Sequence, residues 1–376
     1  MKRVGVIGGG QLAWMMADAV KKLDVELIIQ TPSPTDPAVS IATQTIFAAI
    51  DDADSTAHLA ARCDVITFEN EFVDLDALFK LEKQGVCFRP SLDALKPLLD
   101  KYDQRCYLRD RQLPTPNFFA LETGSLLQTT EFPIVLKTRR HGYDGQGTFI
   151  LKTAEELEAI LKTLNDQPLL VEEFVPFDRE LAVMAARSLT GEIVVYPVVE
   201  TQQEDQVCRR VVAPADLPLS IVREVETIAH TLLDNLQFVG IFGIELFLTP
   251  EGKILVNEIA PRTHNSGHYT IDACVTSQFE QQLRAVCGLS LGSPALTCEG
   301  AVMINLLGYE QSESDYLDKR QQLAEIPGAV VHWYGKTESR LGRKLGHVTV
   351  LLESASDLRQ RAIEIGHTIE SIWYRT

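Results

Sequence analysis

Two glutamates and an asparagine make the first chemical claim. Ile244-Glu245-Leu246-Phe247 and Leu255-Val256-Asn257-Glu258 flank Pro250-Glu251-Gly252. A hairpin turned on Glu251-Gly252 sets Glu245 opposite Glu258, or opposite Asn257 after a slip of one residue. Like charges directly opposite on a sheet repel. Two carboxylates and an amide among apolar strand residues therefore suit a hard cation, and Mg²⁺ bridging nucleotide phosphates is the chemistry such donors support. Surface glutamates on an exposed face are the plainer alternative.

Lys137 ends the apolar run 134–137 and precedes Arg139-Arg140-His141-Gly142-Tyr143-Asp144-Gly145-Gln146-Gly147. Glycines at such intervals can lay backbone N–H groups over phosphates while the lysine supplies charge; a solvated hairpin tip is the alternative. The polar run 260–269 follows the presumed metal strand, and Arg262 in it can fork a carboxylate or phosphate. His264 and His268 are four apart, as in a helical zinc pair, but Asn265-Ser266-Gly267 disfavours helix and no glutamate follows the first histidine. His332-Trp333-Tyr334-Gly335-Lys336 and Gly342-Arg343-Lys344-Leu345-Gly346-His347 form a basic cluster that alone would read as a solvated turn. Gly8-Gly9-Gly10-Gln11-Leu12-Ala13 carries G-x-G-x-x-A between a strand and a helix. A dinucleotide site also wants an acid at the end of the second strand, where Gln30 stands, so a tight turn lining a substrate site is favoured over NAD.

The elements that must position these residues change along the chain. Runs 4–7, 12–22, 25–29, 65–68, 75–84 and 86–88 alternate strand and helix patterns, which reads as a parallel α/β sheet. Helices are expected at 92–99 and 102–111. From 134 the texture is α+β: strands 134–137 and 169–173, helix 154–164, a strand pair 181–186 and 193–199, helix 220–236, hairpin 241–259 and helix 279–286. Gly292-Ser293-Pro294 reads as a hinge into a smaller terminal unit.

The 376 residues imply two or three domains at about 150 each. With 45% hydrophobic and 23% charged residues the composition is that of a soluble globular chain. Thirty-five basic against 52 acidic residues give −17, which argues against nonspecific binding to nucleic acid or an anionic membrane. Seven cysteines without a C-x-x-C fit a reducing cytosol. Lys2-Arg3 before an apolar stretch mimics a signal peptide, but Gly8-Gly9-Gly10 interrupts its core.

Taken together, the strand lysine before a glycine-rich loop, Val171-Glu172-Glu173-Phe174-Val175 as an interdomain hinge, and Glu245 with Asn257-Glu258 resemble the ATP-grasp superfamily. Within it, four stretches are similar to the N5-carboxyaminoimidazole ribonucleotide synthetases, the ATPase part of phosphoribosylaminoimidazole carboxylase. They are Gly142-Tyr143-Asp144-Gly145, the run from Ala260-Pro261-Arg262 to His268, Val302-Met303-Ile304-Asn305-Leu306-Leu307-Gly308, and the pair His332-Trp333-Tyr334 with Gly342 to His347. The resemblance spans Gly8 to His347.

It implies an α/β and α+β ATP-grasp architecture: a Rossmann-like parallel-sheet domain (1–97), an ATP-grasp domain (98–295) and a small β-rich C-terminal domain (296–376). By the same resemblance Lys101, Lys137, Gly142, Tyr143, Asp144, Gly145, Gln146, Gly147, Thr148, Glu172, Glu173, Phe174, Val175, Glu180, Gln203, Asn257 and Glu258 hold ATP. Glu245 and Glu258 hold Mg²⁺. Gln11, Glu69, Tyr143, Asp144, Arg262, His264, Ser266, Lys336, Arg343 and Lys344 surround aminoimidazole ribonucleotide, with Tyr143, Asp144, Arg262 and His264 as the catalytic set. Relatives usually carry Arg where Gln146 stands and His where Gln203 stands; Arg139 or Arg140 could replace the first cation. The implied enzyme is a cytoplasmic homodimer that uses ATP to carboxylate aminoimidazole ribonucleotide with bicarbonate. Two other readings stay open: a related ATP-grasp enzyme such as a formate-dependent glycinamide ribonucleotide transformylase or a biotin carboxylase, and a noncatalytic nucleotide binder or NAD-linked dehydrogenase.

Overall fold

The computed structural model describes residues 1–121, 131–140, 142, 147–164, 167–204, 206–353 and 357–374. Strands β1 (Lys2–Ile7), β2 (Val25–Thr31), β3 (Gln44–Phe47) and β4 (Val65–Phe68) form a parallel sheet in the order β3-β2-β1-β4. Val4 and Val6 pack with Phe279, Leu283 and Val286 on one side, and Ile7 packs with Ile28, Leu59 and Ile66 on the other. A sheet covered on both faces needs largely apolar strands, which is why the inner parts of β1, β2 and β4 are apolar and buried while the edge strand β3 is neither.

Helices α1 (Gln11–Trp14), α2 (Ala17–Leu23), α3 (Ala53–Ala60), α4 (Leu75–Lys83) and α5 (Leu92–Leu95) connect and cover it. The single helix expected over 12–22 is therefore two: the Met16 N–H reaches back only three residues, to the Ala13 carbonyl (3.1 Å), a tightened turn that redirects the chain. The strand expected at 86–88 shrinks to one parallel bridge between Ile66 and Phe88, because Pro90 brings no N–H to extend a ladder. Asp100 then caps helix α6 (Lys101–Asp110), accepting from the Tyr102 N–H at 2.8 Å.

A second sheet is antiparallel: β5 (Phe118–Leu121), β6 (Ile134–Thr138), β7 (Thr148–Leu151) and β8 (Leu169–Glu173), in the order β5-β8-β6-β7. Helix α7 (Ala154–Leu161) packs Leu157 into its core and stops short of the expected 164. The third sheet is the largest: β9 (Arg179–Arg187), β10 (Ile193–Val195), β11 (Val199–Glu204), β12 (Val207–Ala213), β13 (Gly240–Leu248), β14 (Ile254–Ala260), β15 (Gly300–Leu307), β16 (Ala329–Trp333) and β17 (Lys344–Leu352). They run β14-β13-β9-β11-β12-β15-β17-β16, with β10 on β9. Helix α8 (Leu219–Leu236) covers part of it with Val225, Ile228, Leu232 and Leu236, spaced three to four apart as a buried helix face requires. Helices α9 (Thr270–Ala273), α10 (Gln278–Cys287), α11 (Leu317–Ala324) and α12 (Leu358–Trp373) complete the chain. The C-terminal strands extend this sheet through the β12–β15 ladder. Gly292, expected at a hinge, is pinned on both sides by the Gln281 amide (2.8 and 2.8 Å).

Candidate active site

The hairpin β13–β14 does place Glu245 opposite Glu258, but by a different route from a two-residue turn. The loop is longer, closed by the Thr249 N–H to the Lys253 carbonyl (2.9 Å). Near it Leu248 pairs with Ile254 and Leu246 with Val256, one residue off the expected register. A bulge at Asn257 adds one residue and restores Glu245 to Glu258. Asn257 stays within reach: its Nδ2 donates to Glu245 (3.3 Å) and its Oδ1 accepts from Lys137 Nζ (3.1 Å).

Lys137 lies on β6 and Glu172 on β8 across from Val135, so the two are diagonal neighbours on one face. Their charges meet at 2.8 Å, and buried Arg105 from α6 bonds the other Glu172 oxygen. Burial alone would raise the Glu172 carboxyl; Lys137 and Arg105 outweigh it and hold the group at about 2. Burial lowers the Lys137 ammonium against the pull of Glu172. Lys101, one helical turn before Arg105, reaches Glu258 at 2.6 Å.

Glu245 lies at the cleft floor, where burial and then the Glu258 charge push it up to about 7. Glu180 on β9 is likewise pushed to about 7, by burial and then by Glu245. Burial also raises Glu258, but Lys101 reverses the direction. Carboxylates that disfavour one another this way, with oxygen donors facing the cleft, fit a hard divalent cation. His264 Nε2 approaches Glu245 at 3.5 Å.

These groups line a continuous cleft of about 1240 Å³ that also takes in Gln11, Glu69, Gly142, Thr148, Glu173, Phe174, Val175, Gln203, Arg262, Lys336, Arg343 and Lys344. Glu173 turns its carboxylate to Asn117 (2.9 and 2.8 Å). Arg262 pairs with Glu71 at 2.9 Å. Lys336 donates to Gln11 (3.0 Å) and to the Lys344 carbonyl (2.6 Å), and Arg343 to the Glu338 carbonyl (2.8 Å). The first glycine-rich turn is filled by protein: Glu69 accepts from the Leu12 N–H (3.3 Å), and a Cβ at Gly8 or Gly10 would collide with it. A carboxyl side chain therefore occupies the place a dinucleotide phosphate would need, and buried Gln30 bonds inward to Ala49 (2.7 Å) and Thr56 (2.9 Å).

Two expected residues stand elsewhere. Ser266 is buried behind the cleft wall, where its N–H donates to His264 Nδ1 (3.3 Å) and so orients the ring. Gly147 packs on Thr138. Tyr143, Asp144, Gly145 and Gln146 lie outside the described residues. His268 is buried with Nδ1 against Gln278 (3.1 Å), whose amide also brackets the His264 backbone (2.9 and 2.7 Å). Asp272, His332 and His347 bring donor atoms within 4.8 Å of one another. The two histidine rings are stacked at 4.4 Å and 16°, His332 Nε2 is bonded to Asp272 (2.8 Å) and His347 Nδ1 to the Tyr334 hydroxyl (2.8 Å). That cluster therefore reads as a clamp between β16, β17 and α9. Arg105, Gln104, Glu71 and Gln278 were not expected at the site; the one available signal was that Lys101 and Arg105, four apart, share a helix face.

Three family models match in succession: the ribonucleotide synthetase preATP-grasp domain over residues 1–97, the ATP-grasp domain over 106–279 and the phosphoribosylaminoimidazole carboxylase C-terminal domain over 301–361. The chain is 56% identical to N5-carboxyaminoimidazole ribonucleotide synthase of Synechococcus elongatus, covering 99% of this chain and 96% of that protein. It is 52% identical to the protein of the same name from Synechocystis, covering 99% and 98%. Among solved structures it resembles N5-carboxyaminoimidazole synthase from Aspergillus clavatus in complex with ADP and 5-aminoimidazole ribonucleotide, at 30% identity and a TM-score of 0.89, covering 98% of this chain and 99% of that one.

Proposed function

The chain belongs to the N5-carboxyaminoimidazole ribonucleotide synthase family of ATP-grasp ligases, and from that premise we propose how its cleft divides the reaction between two sets of residues. The enzyme carboxylates 5-aminoimidazole ribonucleotide with bicarbonate at the expense of ATP, giving N5-carboxyaminoimidazole ribonucleotide, ADP and phosphate, a step of purine biosynthesis. The observation that carries the division is that Lys101 pairs with Glu258 (2.6 Å), which faces Glu245, and Lys137 donates to Asn257 (3.1 Å), whereas Lys336 donates to Gln11 (3.0 Å) and to the Lys344 carbonyl (2.6 Å).

In this reading ATP lies between β6 and the hairpin. Lys101 and Lys137 take phosphate oxygens, and Thr148, Phe174, Val175, Glu180 and Gln203 wall the nucleotide. Glu245 and Glu258 hold Mg²⁺, which when bound neutralises charge spreading over the transferred phosphoryl group. Arg262 and His264 hold bicarbonate beside it. Bicarbonate is a poor electrophile, so its oxygen attacks the γ-phosphorus, the bond to ADP breaks and carboxyphosphate forms. The exocyclic amine of the ribonucleotide then bonds to the carboxyl carbon, phosphate leaves and the amine loses a proton. Lys336, Arg343 and Lys344 bind the ribonucleotide phosphate, and Gln11 and Glu69 flank it. We retain the domain bounds 1–97, 98–295 and 296–376. The seven cysteines are all thiols, as a cytoplasmic location requires. The family reading further expects a homodimer, which analytical ultracentrifugation checks. ADP release tests the whole: it should require Mg²⁺ and aminoimidazole ribonucleotide and rise with bicarbonate, whereas release driven by glycinamide ribonucleotide with formate instead contradicts it.

A further inference from the structure

Among the described residues strand β14 is the edge of the nine-stranded sheet, so its outer N–H and C=O groups have no strand there to pair with. Consecutive side chains of α6 take them instead. Gln104 accepts from the Ile259 N–H (2.8 Å) and donates to the Ile259 carbonyl (3.0 Å), as a neighbouring strand residue would. Arg105 donates to the Val256 carbonyl (3.2 Å) and to the Asn257 carbonyl, and the Pro114 carbonyl accepts from the Val256 N–H (2.9 Å). Gln104 and Arg105 are 3% and 2% exposed, so neither exchanges these bonds with solvent.

The grip falls on the bulge. Asn257 is the inserted residue, and its insertion is what turns Glu258 to face Glu245. A bulge on an edge strand is held by a ladder on one side only, and a slip of one residue there would turn Glu258 to the other face of the sheet. The Arg105 guanidinium also bonds Glu172 of the second sheet, which in turn holds Lys137. One planar fork with several fixed donors thus ties the carboxylate strand to the lysine wall, which a lysine at this position could not do.

We propose that Arg105, with Gln104 beside it, is a positioning residue that holds the Asn257 bulge in register and so keeps Glu245 and Glu258 set for ATP with its divalent cation. The inference rests on the reading of those two glutamates as cation ligands. Its rival is that Arg105 merely neutralises buried Glu172.

A double-mutant cycle separates the two. Arg105→Met, Glu172→Gln and their combination are compared by calorimetric ATP binding with Mg²⁺ and no ribonucleotide, by KM for ATP and for aminoimidazole ribonucleotide, and by urea unfolding. Arg105→Met should weaken ATP binding about 10- to 100-fold, the range for losing a charge-assisted hydrogen bond, and change the ribonucleotide KM by less than about twofold. Added to Glu172→Gln it should still weaken ATP binding by about tenfold. No added effect in that background, or equal rises in both KM values, overturns the inference. If Arg105→Met does not fold, Glu172→Gln against the double variant, which keeps the wild-type buried net charge, decides alone. Glu258→Gln separates the premise from the inference: full turnover in it removes the cation reading, whereas loss of turnover beside an unchanged ATP affinity in Arg105→Met overturns only the role of Arg105.

Discussion

Glu172 on β8 and Glu245 on β13 face one cleft from two sheets, and the protein shifts their carboxyls in opposite directions. Burial opposes the charge of both. At Glu172 two cations, Lys137 and Arg105, outweigh it and keep the carboxylate ionised down to about 2. At Glu245 the facing Glu258 adds to it, and the group rises to about 7. The first region is electrostatically complete within the chain and fixes shape: it ties β6, β8 and α6 together. In the second the charges of Glu245 and Glu258 oppose each other, a conflict that a bound cation would relieve.

Removing one carboxylate from this second region should have the largest effect. Glu258→Gln should lower turnover on the order of a thousandfold or more. It relieves a like-charge pair but also strips Lys101 of its anion, and because the Glu258 carboxyl is lowered on folding the second effect dominates, so the metal-free variant should melt slightly below the wild type. Adding Mg²⁺ should raise the melting temperature of the wild type and leave that of the variant unmoved. Near-normal turnover at saturating Mg²⁺, or equal stabilisation of both proteins, would contradict the contrast between the two regions.

The next effect lies at Arg343, which lines the cleft, donates to the neutral Glu338 carbonyl and is able to take an anion. If that anion is the ribonucleotide phosphate, which undergoes no chemistry, Arg343→Ala removes uniform binding and raises KM for that substrate with little change in kcat. A charge-assisted hydrogen bond sets the rise at about 10- to 100-fold. KM for ATP should stay put; a larger effect on ATP would assign Arg343 to the nucleotide region.

How much of this was legible differs between the two regions. The facing glutamates could be read from a hairpin pattern, yet the register was right because a longer turn and a bulge displace it by one residue each, in opposite senses. The bulge did leave a trace: Asn257 and Glu258 are polar in succession, breaking the period of two that a regular strand keeps. Lys137 and Glu172 were both expected at the nucleotide, but their pairing with Arg105 was not. A buried arginine on a polar helix carries no local mark, since its partners on β14 lie 151 and 152 positions away. The glycines of the first turn likewise take their meaning from Glu69, a long-range neighbour that no local pattern names. Composition, strand runs and helix spacing are local properties and gave the layers; burial of charge is a tertiary one.

The smallest expected effect sharpens the complete region through pH. The Glu172 carboxyl falls from an ordinary 4.5 to about 2 on folding, so its folded form binds the proton less well than its unfolded form. The stability it supplies is therefore fully present above the unfolded value and is lost as pH falls toward the folded one, on the order of 3 kcal/mol in total. Over the range from about pH 6 to about pH 3 some two-thirds of this, about 2 kcal/mol, should disappear. Glu172→Gln lacks a group to titrate there and leaves Arg105 and Lys137 without their anion, so it should be less stable than the wild type at neutral pH. Its deficit should then narrow by about 2 kcal/mol on acidification, because only the wild type loses this contribution. Urea unfolding of both proteins at a series of pH values reads the difference directly, and titration of every other carboxylate cancels in it. A deficit that stays constant with pH means that Glu172 is not held ionised by Lys137 and Arg105, and the contrast with Glu245 then fails at its better-paired side.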